Sequence, residues 1–468
     1  EVQCSAESLS DGGKSRMFRF RKSIATIVSI AAILVLVLPI SSESAVPRPS
    51  IVVITVDALR ADHVSSYGYS KSTSPNIDRL IAQGLRFERA WTPEPLTGPA
   101  MCSMVTGLEP HAHAATRNGL RMQTGLNSLP KTLSENGWKT AAFVGTWTLK
   151  NNLTLLGEHF ETYGERLERK RWFGILNSEA TCEDVTDDAL DWLGEERKKG
   201  PDKPFFLWVH YIEPHAPYRF HKDYADRLDV NDDQLTKKDR YDTEIAAVDT
   251  SIERLLTGVR QAVEEKDLIV VLTADHGESL GEHNYWGHGR YLYEPSLRIP
   301  LGIVWPGVIP AGTVSSQATL LDIMPTLLDL VGLEIPDGLP GESWAPTIRG
   351  ASEIAERVGC YQAHRGAVHG DSARESDRKR SKGLLWVGVI DGDTKEMIKV
   401  SRQLIQIYDI AADPGELETL APVDAKPSDD LAACLARVAE GLGSLDKLAT
   451  QKLDDETVEK LRALGYLE

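Results

Sequence analysis

The chain has 468 residues, with 52 lysines and arginines against 69 aspartates and glutamates, for a formal net charge of −17. An acidic excess of this size excludes a surface built to bind nucleic acid or anionic lipid, so an anionic substrate has to be drawn in locally, by a metal or a few cations. The five cysteines (Cys4, Cys102, Cys182, Cys360 and Cys434) show no Cys-x-x-Cys or metal-ligand spacing, which excludes a disulfide-dense or zinc-knuckle scaffold and leaves the pairing of any disulfide open.

In chain order, Arg16, Arg19, Arg21 and Lys22 precede a charge-free apolar run from Ile24 to Ile40, followed by the small residues of "SSESAV". Basic, apolar and small segments in that order read as a secretory signal, so the protein is expected to be exported, to a periplasm or to the outside. The run is near the lower length limit for a membrane span, and an uncleaved signal anchor is the one membrane contact that stays open. Residues 1–46 are taken as this extension.

Next, "SIVVITVDALRAD" is a nearly continuous apolar run that stops at Asp57, as a buried parallel strand does when it delivers a side chain to its carboxyl end. The same pattern recurs in "PFFLWVHYIEPH", from Pro204 to His215, and in "DLIVVLTADHGES", from Asp267 to Ser279. Helical periods lie between them: "SPNIDRLIAQGL" with Ser74 as N-cap, "SLPKTLSENGW", "VTDDALDWLGEERKKG" and "YDTEIAAVDTSIERLLTGVRQAV". Strands alternating with helices predict a mostly parallel sheet covered on both faces, with the three polar strand ends converging where such sheets bind ligands.

Beyond the Gly/Pro/Ser-rich stretch "DGLPGESWAPTIRGASE" the pattern changes to short alternating runs, "GLLWVGVIDGDTKEMIKV" and "QLIQIYDIAAD", with a hairpin signal at "DGD". Two domains follow: a catalytic one over 47–345, and a smaller α+β one over 346–468 with an antiparallel sheet and a terminal helix, "DDETVEKLRALGYLE".

The chemistry concentrates at Asp275-His276. A carboxylate and an imidazole at one strand end can share a cation with Asp57 from a neighbouring strand. The stretch after it packs His276, His283 and His288 among Gly277, Gly281, Gly287 and Gly289, combining acid/base and ligand groups with residues that let a backbone approach a ligand closely.

With these residues in view, "VDALRADHVSSYGY", "VTGLEPHAHA", "FFLWVHYIEPHAPY", "ADHGESLGEHNYWGHG", "LLDIMPTLLDLVGL" and "YDIAADPGELETLA" resemble, in order, successive blocks of the sulfatase family within the alkaline phosphatase superfamily. The resemblance implies an α/β fold, an alkaline-phosphatase-like α/β/α sandwich with a smaller C-terminal domain, one divalent metal at the strand ends, and a nucleophile at the start of a helix. In typical sulfatases that nucleophile is the first residue of Cys/Ser-x-Pro-x-Arg, with Thr-Gly nine and ten positions on, and it matures to formylglycine. In "PLTGPAMCSMVTG" the register places Thr97 there, with Pro99 and Thr106-Gly107 in step, while Cys102 is out of register and reads as a small buried residue.

A threonine cannot become formylglycine by that maturation, but it can attack as a metal-activated alkoxide, as in the phosphodiesterases and transferases of the superfamily. The resemblance assigns Asp57, Thr97, Asp275 and His276 to the metal. It assigns Asn118 and His215 to the ester oxygens and His288 to the leaving group, in a lysine's place; His210 and His283 are weaker candidates. Met101 replaces the family's arginine, Ala58 its second carboxylate, and "GTWT", Thr146 to Thr148, its Lys-x-His block. The mixed N/O set favours Zn²⁺ or Mn²⁺ and leaves Ca²⁺ open. A basic segment, Gly164 to Thr181, is a further candidate for substrate contact.

The leading functional reading is an exported, metal-dependent hydrolase of a sulfate or phosphate ester. Phosphoryl transfer to an envelope lipid or glycan, and a non-catalytic binding protein on the same scaffold, are the alternatives.

Overall fold

In the computed structural model the strand Ser50–Val56 (β1) is buried along its whole length, which is why its β-branched, wholly apolar core tolerates no polar alternation. The structure describes residues 48–171, 176–200, 203–350, 356–366 and 383–448. The apolar run at 24–40 and the helix expected over 454–468 lie outside them. Among the described residues no helix is long and apolar enough to cross a membrane.

Seven further strands complete the main sheet: Leu85–Phe87 (β2), Lys139–Val144 (β3), Thr162–Gly164 (β4), Phe205–Tyr211 (β5), Leu268–Ala274 (β6), Leu301–Val304 (β7) and Gly312–Val314 (β8). Their order is β8-β2-β7-β6-β1-β5-β3-β4. Only β7 runs against the rest, pairing antiparallel with β6 and β2. The three runs that end in polar residues are therefore neighbours at the centre: β1 pairs parallel with both β5 and β6.

Helices cover the sheet in two groups. Pro75–Ile81, Cys182–Lys199 and Lys237–Ala262 pack together, as do Thr97–Thr106, Leu129–Glu135 and Ile323–Leu330. Local chemistry sets several of their starts. Thr181 with Asp184, and Thr236 with Asp239, form reciprocal capping boxes, and Ser128 accepts from the Lys131 N–H. Ser74 stands at a cap position, but its hydroxyl turns to Asp78 and Ser65. The first-turn N–H groups of Asn76 and Ile77 donate instead to Asp249 Oδ1, at 2.9 and 2.8 Å, from the long helix packed alongside. A tertiary carboxylate has displaced the local cap.

After the main sheet, Gly359–His364 (β9), Leu384–Asp391 (β10), Thr394–Lys399 (β11) and Leu404–Asp409 (β12) form an antiparallel sheet in that order. The expected hairpin is there, turning at Gly392 with φ 53°. Period-two alternation divides the faces: Val387, Val389, Ile398 and Ile405 meet Leu431, Cys434, Val438 and Leu442 of the helix Asp429–Leu448. Trp386, Ile390 and Met397 face Trp91, Leu292 and Leu297 of the catalytic part. Cys360 and Cys434 are joined in a disulfide, with Cα atoms 5.8 Å apart, which resolves the pairing that spacing left open. The segment from Gly164 to Thr181 carries an antiparallel hairpin, Arg169–Arg171 with Leu176–Glu179.

His113 shows how the buried polar groups are satisfied. Its Nδ1 accepts from the Ala115 N–H at 3.1 Å, so Nε2 carries the proton and donates to Ser103 Oγ at 3.0 Å. Burial pushes its pKa from 6.5 down to about 3. Between those values the unfolded chain binds a proton that the folded chain does not, so this stability is complete above pH 6.5 and is lost as the pH falls. Replacing it, as His113→Gln, is expected to reduce the slope of unfolding free energy against pH between 6.5 and 4 by about 1.4 kcal/mol per pH unit, measured by urea denaturation.

Candidate active site and metal centre

The register of the central strands places the site. Val56 lies opposite both Tyr211 and Ala274, so Asp57 and Asp275 leave the sheet side by side. His210, one residue before the end of β5, is opposite Thr55. One ligand atom each from Asp57, His210 and Asp275 lie within 4.8 Å of one another, all three residues being buried. At such a separation two carboxylates repel by about 3 kcal/mol even at an effective dielectric constant near 20.

Hydrogen bonding aims the remaining lone pairs inward. Asp275 Oδ1 accepts from the backbone N–H groups of Ala58, at 3.0 Å, and His276, at 2.8 Å. Its Oδ2 is buried with no hydrogen-bond donor among the described residues and lies 3.2 Å from His276 Nε2. The Nδ1–H of His276 donates to the Gly277 carbonyl at 2.8 Å, which fixes the tautomer and leaves Nε2 as a lone pair, 3.8 Å from Asp57 Oδ1. Burial holds His276 well below the usual imidazole pKa, and burial pushes Asp275 up and His210 down to about 4. His210 Nδ1 lies 2.8 Å from Thr55 Oγ1, while its buried Nε2 lies 3.6 Å from Asp57 Oδ2. Neutral imidazoles and carboxylate oxygens turned toward one small volume fit a divalent cation. The donor set passes that test on its own geometry.

Backbone conformation holds this arrangement. Ala58 adopts φ 60°, a left-handed conformation that costs a non-glycine residue about 1–2 kcal/mol, and is fixed by its N–H to Asp275 and by the Tyr241 hydroxyl donating to its carbonyl at 2.7 Å. A Cβ at Gly277 would collide with the Pro295 carbonyl, so only glycine lets the two chains approach there.

Thr97 is the first residue of the helix Thr97–Thr106, with Leu96 in the cap position. Its side chain therefore does not cap; the hydroxyl lies 3.3 Å from His276 Nε2. The Gly98 N–H donates to Asn118 Oδ1 at 2.7 Å, and a side chain at 98 would press on that oxygen. Asn118 thus has its oxygen tied to the turn that begins the Thr97 helix, with its amide N–H groups left to donate. Cys102 and Met101 are both fully buried in the main hydrophobic cluster, and burial pushes the Cys102 thiol far up.

His215 and His288 meet at the rim. The Nδ1–H of His215 donates to the Ala216 carbonyl at 2.7 Å, and that of His288 to the Pro95 carbonyl at 3.1 Å. Their Nε2 atoms face each other at 3.1 Å, and the His288 ring stacks on His276 with centroids 4.0 Å apart. His283 lies elsewhere: it stacks on Tyr293 at 3.7 Å, in the contact with the C-terminal sheet. In "GTWT", Thr146 and Thr148 bond each other at 3.1 Å.

Two participants had little weight in the sequence. His210 sits inside an apolar run, where one imidazole is indistinguishable from a structural histidine until its partner strand is known. Glu278 is fully buried, and burial pushes its carboxyl pKa up against the opposing effects of His288 and a hydrogen bond from Tyr218.

If this cluster is the metal centre, Asp275→Ala should abolish stoichiometric divalent metal in elemental analysis of the purified protein while the far-ultraviolet circular dichroism stays unchanged. Retention of the metal would place it elsewhere.

The profile of the sulfatase family matches residues 49–333. Among curated proteins, the chain is 25% identical over 402 residues to an N-acetylglucosamine-6-O-sulfatase of Bacteroides thetaiotaomicron, covering 64% of this chain and 71% of that one. It is 24% identical over 461 residues to human arylsulfatase A, covering 81% and 85%. Among solved structures, the phosphonate monoester hydrolase of Agrobacterium radiobacter superposes with a TM-score of 0.65 at 22% identity, covering 86% of this chain and 96% of that one. A fold with its polar strand ends at the centre, a helix starting at the nucleophile position and a profile match across most of the catalytic part agree: the chain belongs to the sulfatase family.

Proposed function

We propose that this protein is an exported, metal-dependent ester hydrolase in which Thr97 is the nucleophile and phosphate esters are turned over better than sulfate esters. The observation that carries this reading is the position of Thr97 Oγ1, at a helix start and 3.3 Å from His276 Nε2 in the Asp57/Asp275 cluster. A divalent cation bound there would acidify the hydroxyl and polarise an ester oxygen. The ligand set of Asp57, Asp275, His276 and Thr97, with His210 beside it, mixes nitrogen and oxygen and suits Zn²⁺ or Mn²⁺ better than Ca²⁺.

The chain's own groups supply the remaining steps. The helix N-terminus favours the negative charge that gathers at the reacting centre, and the Asn118 amide is placed beside it. Attack by Thr97 Oγ forms the bond to phosphorus as the bond to the alcohol oxygen breaks. His215 and His288 have each spent Nδ1–H on a carbonyl and their Nε2 atoms lie 3.1 Å apart, so His288 Nε2 is the atom proposed to pass a proton to the leaving oxygen. Water then attacks the phosphorus of phosphothreonine, its bond to Thr97 Oγ breaks, inorganic phosphate leaves, and one proton of the water returns to the Thr97 hydroxyl. A sulfate on plain threonine lacks the carbon–oxygen cleavage that formylglycine hydrate provides, which underlies the preference for phosphorus. The Cys360–Cys434 disulfide supports export, since such bonds persist in oxidising compartments.

Matched aryl phosphate and sulfate esters test the nucleophile. Thr97→Ala is expected to lose at least about a thousandfold in kcat/KM, Cys102→Ala to keep most of it, and Thr97→Ser to retain measurable turnover. Full activity in Thr97→Ala, or faster turnover of sulfate by the parent, contradicts the reading.

A leaving-group series tests the acid. His288→Ala should slow esters of poor leaving groups by about a hundredfold more than activated aryl esters. Equal losses across the series would assign His288 another role.

A further inference from the structure

A cavity of about 460 Å³ opens between the β2 side of the main sheet and the C-terminal sheet, within the size range of small-molecule sites. Three arginines line it, Arg86, Arg89 and Arg298, with Tyr67 and Trp91 behind them. None of its lining residues belongs to the Asp57 cluster. The Arg86 guanidinium lies over the Tyr67 ring at 5.5 Å and that of Arg89 over Trp91 at 5.6 Å, so both are held in place by aromatic faces.

The acids around the cavity are already matched. Glu88 pairs with Arg86 at 3.1 Å, Asp393 with Arg89 at 3.3 Å, and Glu294 with the buried Lys395 at 3.1 Å. Arg298 has no carboxylate partner among the described residues; it donates to the Glu88 carbonyl at 2.8 Å. The guanidinium of Arg298, with no carboxylate partner, on the wall of a cavity of this size suits a tetrahedral oxyanion.

We propose that this cavity is a second anion-binding site, separate from the Asp57 cluster, which takes a small molecule bearing one sulfate or phosphate group through Arg298. The proposal does not rest on the catalytic reading.

Calorimetric titration with glucose 6-sulfate and with glucose tests it, on the Asp275→Ala protein and on the same protein carrying Arg298→Ala or Arg298→Lys. Glucose 6-sulfate is expected to bind at one site per Asp275→Ala chain, and glucose not at all. Arg298→Ala should weaken binding by at least about tenfold, the worth of one charge-assisted hydrogen bond, with Arg298→Lys in between. Melting temperatures of the three proteins report whether the fold is intact. If folding fails in Arg298→Ala, the Arg298→Lys comparison decides. Binding that is unchanged by both substitutions, or absent once Asp275 is removed, overturns the proposal.

Discussion

The structure turns on the burial of two carboxylates, Asp57 and Asp275, at the ends of adjacent parallel strands. Both are at most 1% exposed. Desolvating two like charges so close together is unfavourable by several kcal/mol unless a cation or a proton intervenes, and much of the surrounding architecture directs lone pairs toward the same volume. The left-handed turn at Ala58, the two backbone N–H groups on Asp275 and the tautomer of His276 all follow from holding those oxygens in place.

From that centre the segment leading to Thr97 is braced by contacts from distant parts of the chain. Glu94, fully buried, accepts from the His364 ring Nδ1 at 3.0 Å and from the His364 N–H at 3.1 Å, and Gln362 Nε2 donates to it at 3.2 Å. The C-terminal sheet is thus tied three residues upstream of Thr97. The Pro95 carbonyl meanwhile receives His288. The second sheet is therefore tied to the segment leading into the helix that begins at Thr97, and the Cys360–Cys434 bond anchors the same strand to its covering helix.

The family's usual charge-stabilising groups are redistributed in this chain. Met101 is packed in the core where an arginine would reach the anion, and Ala58 has given up a carboxylate for a turn. His215 and His288 meet at the rim of the Asp57 cluster, and His288 stacks on His276. Arginines gather instead around a cavity outside the Asp57 cluster.

The amino-acid sequence by itself determined the three apolar runs that end in polar residues, the hairpin at Gly392 and the register that singles out Thr97. All of these depend on neighbours a few residues away: strand and helix periodicity, turn chemistry and cap spacing are encoded within single segments. Only the tertiary structure decided which distant groups meet. Ser74 occupies its cap position, yet Asp249 satisfies the helix. His210 enters the metal cluster because β5 is paired with β1, and His283, equally eligible by spacing, is drawn to Tyr293. The partner of Cys360 and the closeness of His215 to His288 belong to the same class, because they depend on strand order and sheet packing. Those contacts join residues far apart in the chain, and their energies appear only once burial has removed the competing water.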